Sequence, residues 1–317
     1  MIRWGVDETA AWYARVGAEA DGLYADWALG ISGDADVVAL IAALPRPQRQ
    51  PHLLFAVARL VGSPLVAYAD WRDWLVAHWP LVSAASEGRM TQTNEPARCA
   101  ILVPALGLLA GLDATPLALV EIGASAGLCL YPDRYSYRYG DHRIDPTTGP
   151  SEVVISCATE GDVPLPPRLP EIAWRAGVDL APLDVNDFDD LAWLEVLVPP
   201  EAADRRERIR AAAEIAREDP PHLSTSLETA LASVPDGTRL VIVTMGTLVY
   251  LKRPEREALA DAIRATGAHW LSFEAAGMLD ATADEKSGTF VLTLDDRVLA
   301  TAAPHGERIS WRYASGA

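Results

Sequence analysis

The pattern of apolar and polar positions changes character near residue 115. Before it, apolar residues recur at helical spacing. After it, short apolar runs alternate with helical stretches. Residues 8–29, with Trp12, Tyr13, Tyr24 and Trp27 along one face, predict a first helix. Residues 34–44 predict a second, stopped by Pro45 and Pro47, and 52–61 a third. Residues 64–79 predict a fourth, whose Trp71, Trp74 and Trp79 fit a packed face. Gln92, Thr93, Asn94, Glu95 and Arg98 then crowd before an apolar helix that ends near Gly111. Thr93 or Asn94 suits its N-cap, with Pro96 in the first turn. Capping explains one of these residues; the cluster together equally suits the lining of a ligand pocket.

The second half opens on Leu117-Ala-Leu-Val-Glu-Ile-Gly-Ala-Ser-Ala-Gly-Leu128. Its apolar start predicts a buried strand, and Glu121 stands at that strand's end. Gly123 and Gly127 bracket Ala124, Ser125 and Ala126, all small. This is how a strand turns sharply into a helix with bare backbone, because glycine tolerates positive φ and close approach. The helix would offer free N–H groups there. Further strands are expected at 135–139, 153–157, 172–180, 239–245 and 269–274, with helices at 202–217 and 254–266. Runs 289–294 and 297–302 around Asp295-Asp296 predict a hairpin, and 309–311 a last short strand. The expected fold is α/β, a mainly parallel sheet with an antiparallel edge hairpin near its C-terminus, after an all-helical region. The expected division is 1–115 and 116–317.

Composition narrows the classes. Half of the 317 residues are hydrophobic and 22% are charged, as a packed core requires. Acids outnumber bases 44 to 27, a net charge of −17 that disfavours a nucleic-acid partner. Cys99, Cys129 and Cys157 form no C-x-x-C pair, which fits a reduced cytoplasmic setting better than a disulfide framework. The polar start, reaching Asp7 and Glu8, predicts no secretory signal. The longest apolar run, 99–112, is too short and too broken to span a bilayer, so no membrane partner is expected.

Ligands of such sheets bind beyond the carboxyl ends of the strands. That places Glu121, Gly123, Ala124, Ser125, Gly127, Gly246 and Glu274 on one rim. The spacing lacks the third glycine of the dinucleotide fingerprint, and no phosphate-binding P-loop is present. Gly-Ala-Ser125-Ala-Gly formally matches a hydrolase nucleophile elbow, with Asp236 and His305 as triad partners in chain order. An elbow has no need of Glu121. The scattered histidines show no metal-ligand spacing. Three weak catalytic candidates remain. His305 suits a general base or a bond to a backbone carbonyl. Glu274 suits orienting a substrate amine, or a buried ion pair with Arg98. Tyr250 suits reaching the pocket or packing beneath it.

The strand, acid and glycine turn resemble class I S-adenosylmethionine methyltransferases. In those, the resemblance implies, the loop passes under the amino-acid part of the cofactor and a second acid holds the ribose. Asp141 has the expected spacing for that acid, with Asp133 and Asp179 as competitors. Glu121–Leu128, Asp133-Arg-Tyr135, Gln92-Thr-Asn-Glu95, Arg98-Cys99 and Pro304-His-Gly306 together resemble the bacterial DUF2332 family over nearly the whole chain. This implies a Rossmann-like methyltransferase sheet behind a helical N-terminal lid or substrate region, binding S-adenosylmethionine and a small-molecule substrate. Cys129 stands where the family pattern has Asn, Ser226 where it has an acid, and Met245 in a pair that is more polar in the family. All three lie on the rim expected to hold cofactor or substrate, and Ser226 and Met245 are counted with Glu121, Gly123, Ala124, Ser125, Gly127 and Asp141 as the expected cofactor-binding residues. The leading expectation is a methyltransferase-like protein. The alternatives are a non-catalytic metabolite- or partner-binding protein on the same fold, and a serine hydrolase using Ser125.

Overall fold

The computed structural model of this chain describes residues 5–312. The outer ends of the two expected domains, 1–4 and 313–317, lie outside the described residues, and so does the start of the segment expected to carry no leader. Helices come first: α1 (Val6–Glu19), α2 (Gly22–Ser32), α3 (Ala35–Ala42), α4 (Pro51–Leu60), α5 (Tyr68–Ala77), α6 (Trp79–Ser86) and α7 (Cys99–Ala110). Then come β1 (Leu117–Ile122), β2 (Ser136–Tyr139), β3 (His142–Ile144), β4 (Val154–Glu160), β5 (Ile172–Val178), α8 (Phe188–Val196) and α9 (Ala203–Glu218). The chain continues with β6 (His222–Ser224), α10 (Leu227–Ala232), β7 (Arg239–Met245), α11 (Arg253–Ala265), β8 (His269–Ala275), β9 (Phe290–Leu294), β10 (Arg297–Ala302) and β11 (Arg308–Trp311).

Two compact units form, and their boundary differs from the expected one. Residues 5–93 and 187–207 make the first, and 94–186 with 208–312 the second. Within the first unit, Asp187 caps α8 with its carboxylate, and α8 packs on α4. Arg59 of α4 donates to the Val196 and Val198 carbonyls, and Leu23 N–H donates to Glu201. These bonds tie 187–207 to the helices of the first unit. The expected single helix over 8–29 is broken between Glu19 and Gly22, where extended Ala20 and Asp21 start a new helix. Trp27 stacks on Trp71 at 4.2 Å between ring centroids, with Phe55 edge-on to both. Trp71 is core as expected. Trp74 is only half-buried and stacks on His78.

The second unit holds α7 and, among the described residues, one eleven-stranded mixed sheet. α7 is apolar on nearly every face, and nine of its twelve residues are buried. The strand order is β3-β2-β4-β11-β10-β9-β8-β7-β1-β5-β6. Pairing is mostly parallel; the β8–β9–β10–β11 run and the β2–β3 edge pair are antiparallel. Every residue of β1 is buried, between β5 and β7. Val120, Ile122, Ala176, Ile242 and Trp270 pack with Ala260 and Ile263 of α11. After β1 the chain first builds β2, β3 and β4 at the far edge, then adds β5 and β6 on one side of β1 and β7 and β8 on the other. The carboxyl end of β1 is therefore the point where the winding reverses, and ligands of open α/β sheets bind in that crevice. No helix among the described residues is long and apolar enough to cross a membrane.

Candidate functional site

Glu121, next to last in β1, has a buried carboxyl, 3% exposed. Its Oε2 atom is buried without a hydrogen bond. Burial pushes the Glu121 carboxyl well above the ordinary carboxylate range; Cys129 and Asp179 push the same way and Arg98 opposes them. A buried polar atom without a partner costs about 1–3 kcal/mol. Such a group at a strand end has an acceptor still open to a further hydrogen bond.

The glycine turn beside it is more tightly packed than its composition implies. Gly123 and Ala124 both donate backbone N–H bonds to the Val178 carbonyl, at 2.7 and 3.2 Å. Ser125 donates its N–H to Asp179 Oδ2 at 2.8 Å, and Asp179 Oδ1 accepts from Ala181. Gly127 N–H turns back to Ala124. Gly123 has φ +80°, and a Cβ there would lie 2.3 Å from Thr247 Oγ1. Gly127 has φ +74°, and a Cβ would lie 2.9 Å from Pro221. Both glycines therefore serve close approach of protein to protein. Ser125 itself is left-handed, φ +52°, and its Oγ is buried without a hydrogen bond.

The expected helix after the turn does not form. One 3-10 turn, Leu128–Leu130, follows. Asn94 Oδ1 accepts the Leu128 N–H at 2.9 Å and its amide lies 3.8 Å from Cys129 Sγ. Arg175 on β5 then takes the Leu130 carbonyl and the Asp133 carboxylate. The Leu130 carbonyl, which a continuing helix would use, is thus taken by the Arg175 side chain.

The polar cluster before α7 divides. Gln92 and Thr93 belong to the first unit; Asn94, Glu95 and Arg98 belong to the second. Neither Thr93 nor Asn94 caps α7, which has no side-chain cap. Glu95 caps the 3-10 turn Pro96–Arg98 that leads into α7, accepting the Ala97 N–H, and it also accepts from Arg208 at 2.7 Å. Arg98 donates to the Met245 and Pro304 carbonyls at 2.9 and 3.0 Å. The expected Arg98–Glu274 ion pair is absent. Glu274 instead accepts the Thr247 and Leu248 N–H groups at 3.0 and 3.1 Å. Burial holds its carboxyl up at about 7, against the lowering effect of those two bonds. Thr247 donates its hydroxyl to the Ile122 carbonyl at 2.9 Å.

Other expectations fare unevenly. Asp179, not Asp141, is the acid bonded to the glycine loop. Asp141 is exposed in the β2–β3 turn, with β4, β11, β10, β9, β8 and β7 between that hairpin and β1 in the sheet. Asp133 is taken by Arg175. Ser226 lies two residues beyond β6, on the same rim, but its hydroxyl caps α10. Met245 is buried at the end of β7. Tyr250 is 59% exposed in the 3-10 turn Leu248–Tyr250. His305 is half-buried in the β10–β11 turn, whose Gly306 packs against the Ala97 carbonyl. Asp236 precedes β7 while Ser125 follows β1, and the two strands run parallel in register. Seven strand residues at about 3.3 Å each separate those ends, so the Ser125–Asp236–His305 triad is not assembled. Thr247 went unread in the sequence; its signal was a hydroxyl directly after a strand-ending glycine.

The fold and site define an α/β protein with a partly unsatisfied acidic rim at the switch point of a mostly parallel sheet. A family model described as an uncharacterised protein conserved in bacteria, DUF2332, matches residues 7–311, and the chain belongs to that family. No curated protein and no solved structure matches the chain.

Proposed function

We propose that this protein is methyltransferase-like, with a Rossmann-like core, and binds S-adenosylmethionine at the carboxyl end of β1 to act on a small molecule. The observation that carries the reading is the buried, unbonded Glu121 Oε2 beside a glycine turn, with Asp179 at the adjacent strand end. Those residues fit the cofactor's polar parts. Glu121 would accept from its amino group, and the spare lone pairs of Asp179 would accept from ribose hydroxyls. Ser125 Oγ is free to bond either part. The loop amides do not fit an anion, since most are already bonded within the protein. When bound, the cofactor supplies an electrophilic methyl group. This chain's own task is to orient the acceptor and exclude water, which needs no dedicated acid or base.

Calorimetric titration with S-adenosylmethionine tests the reading. Saturable binding that weakens roughly tenfold or more in Glu121→Ala is expected, the loss of a bond to a charged group. No heat and no thermal shift at about millimolar cofactor, well above an ordinary working affinity, would sink it. A second reading, a non-catalytic metabolite-binding protein, is favoured by the 3-10 turn that replaces the expected helix. Binding without transfer to any acceptor tested would select it.

A further inference from the structure

We infer that Glu274 is a positioning residue which, through Thr247, holds the turn after β7 against Gly123 and so governs access to the glycine loop. The inference rests on the reading of that loop as the ligand site. Four contacts carry it. Glu274, on β8, accepts both backbone N–H groups of Thr247 and Leu248. Thr247 Oγ1 bonds the Ile122 carbonyl, the last of β1. Gly123 has no Cβ, and the space a Cβ would fill is taken by Thr247 Oγ1 and Cγ2, at 2.3 and 2.7 Å from where it would stand. Arg98 fixes the same turn from its other end, through the Met245 carbonyl. The ends of β8, β7 and β1 are thus tied in one chain of bonds, with Thr247 seated on the glycine. A ligand that passes close over Gly123 must first displace that side chain.

The tie is sensitive to the charge on Glu274. An ionised carboxylate accepts both N–H groups strongly, whereas protonation makes one oxygen a donor and weakens the bond it accepts. The groups acting on Glu274 are the two amides, the Thr244 hydroxyl and the Arg98 guanidinium, with burial outweighing all four and placing its titration near 7. Its partner across β9 is Val291, which carries no charge. The turn is therefore locked in mildly alkaline solution and loosened in mildly acidic solution.

Amide hydrogen exchange on the full chain tests this, read in segments 246–251 and 121–128 and corrected for intrinsic rates. Exchange in both segments is expected to be roughly fivefold faster at about pH 6 than at about pH 8, because local opening follows weakening of the bond. Glu274→Gln should exchange fast at both pH values. Thr247→Val should speed exchange in 121–128 at both, and Thr247→Ser should restore the wild-type pattern. These two keep the test intact where Glu274→Gln fails to fold. Equal exchange at both pH values in the wild type overturns the inference, as does a pH dependence that survives in Glu274→Gln. Parallel titration with S-adenosylmethionine separates the two claims: absent binding with the exchange pattern intact removes the cofactor reading and leaves the latch.

Discussion

Glu121 and Glu274 stand two strands apart, yet burial treats them alike. Each carboxyl is raised, Glu121 well above its ordinary value and Glu274 from 4.5 to about 7. A group whose folded pKa exceeds its unfolded value stabilises most below the unfolded pKa and loses that contribution as pH rises through the folded one. Measured against the unfolded chain, Glu274 therefore favours the fold in mild acid and opposes it above about 7, and Glu121 acts in the same direction; within the folded chain the two N–H bonds to Glu274 run the other way, since the ionised carboxylate accepts both. Glu121→Gln is expected to raise the melting temperature in mildly alkaline buffer more than in mildly acidic buffer, because the unfolded chain ionises that carboxyl readily and burial in the fold resists it. The same substitution should weaken the ligand. Stability and affinity moving in opposite directions would mark Glu121 as a binding group; a fall in both, measured by thermal scan and calorimetry, would make it structural. The three acids at the rim thus differ. Glu121 is unsatisfied, Asp179 holds Ser125, and Glu274 holds Thr247.

At the scale of the element, the strand-to-loop passage after β1 is decided by neighbours. A glycine turn at the head of a helix was the natural expectation from spacing. Arg175, distant in sequence, takes the Leu130 carbonyl that a continuing helix would use, while Asn94, also distant, accepts the Leu128 N–H. Asn94→Ala leaves the buried Leu128 N–H without an acceptor and is expected to cost about 1–3 kcal/mol by urea unfolding. Gly123→Ala meets both a positive φ and the Thr247 side chain. It should destabilise by more than about 1 kcal/mol, the cost of a left-handed non-glycine residue alone. Pairing Gly123→Ala with Thr247→Ser tests the contact, because relief of the methyl clash should recover part of the loss. Elements whose signal is local were legible. The β9–β10 hairpin turns at Asp295 and Asp296, both with positive φ, where the acidic pair predicted it. The short β6 and the break between α1 and α2 were not legible, since three residues carry no period and Gly22 sits among good helix formers.

For the whole molecule, the expected boundary at 115 moved because helices sort by what they pack against. α7 is buried on nearly all faces and belongs with the sheet, while 187–207 joins the helical unit through α4 and Arg59. A ligand that binds only the folded chain raises its stability by about 2.7 kcal/mol at a hundredfold excess over its dissociation constant. Scanning calorimetry with S-adenosylmethionine should show that rise, and Asp179→Asn should shrink it if the acid at the end of β5 contacts the ligand. An unchanged rise in that variant would confine Asp179 to bracing the loop.

The chain's own order of residues determined that strands alternate with helices after residue 115, that β1 and β7 are buried, and that an acid and two glycines end β1. Periodicity and turn chemistry are local, so they survive without coordinates. Which acid meets the loop was not local. Asp141 has the spacing, but Asp179 has the position, because β5 rather than the β2–β3 hairpin pairs with β1. The same holds for the glycines. Sequence marks them as places without side chains; only the packing shows that Thr247 and Pro221 occupy the space.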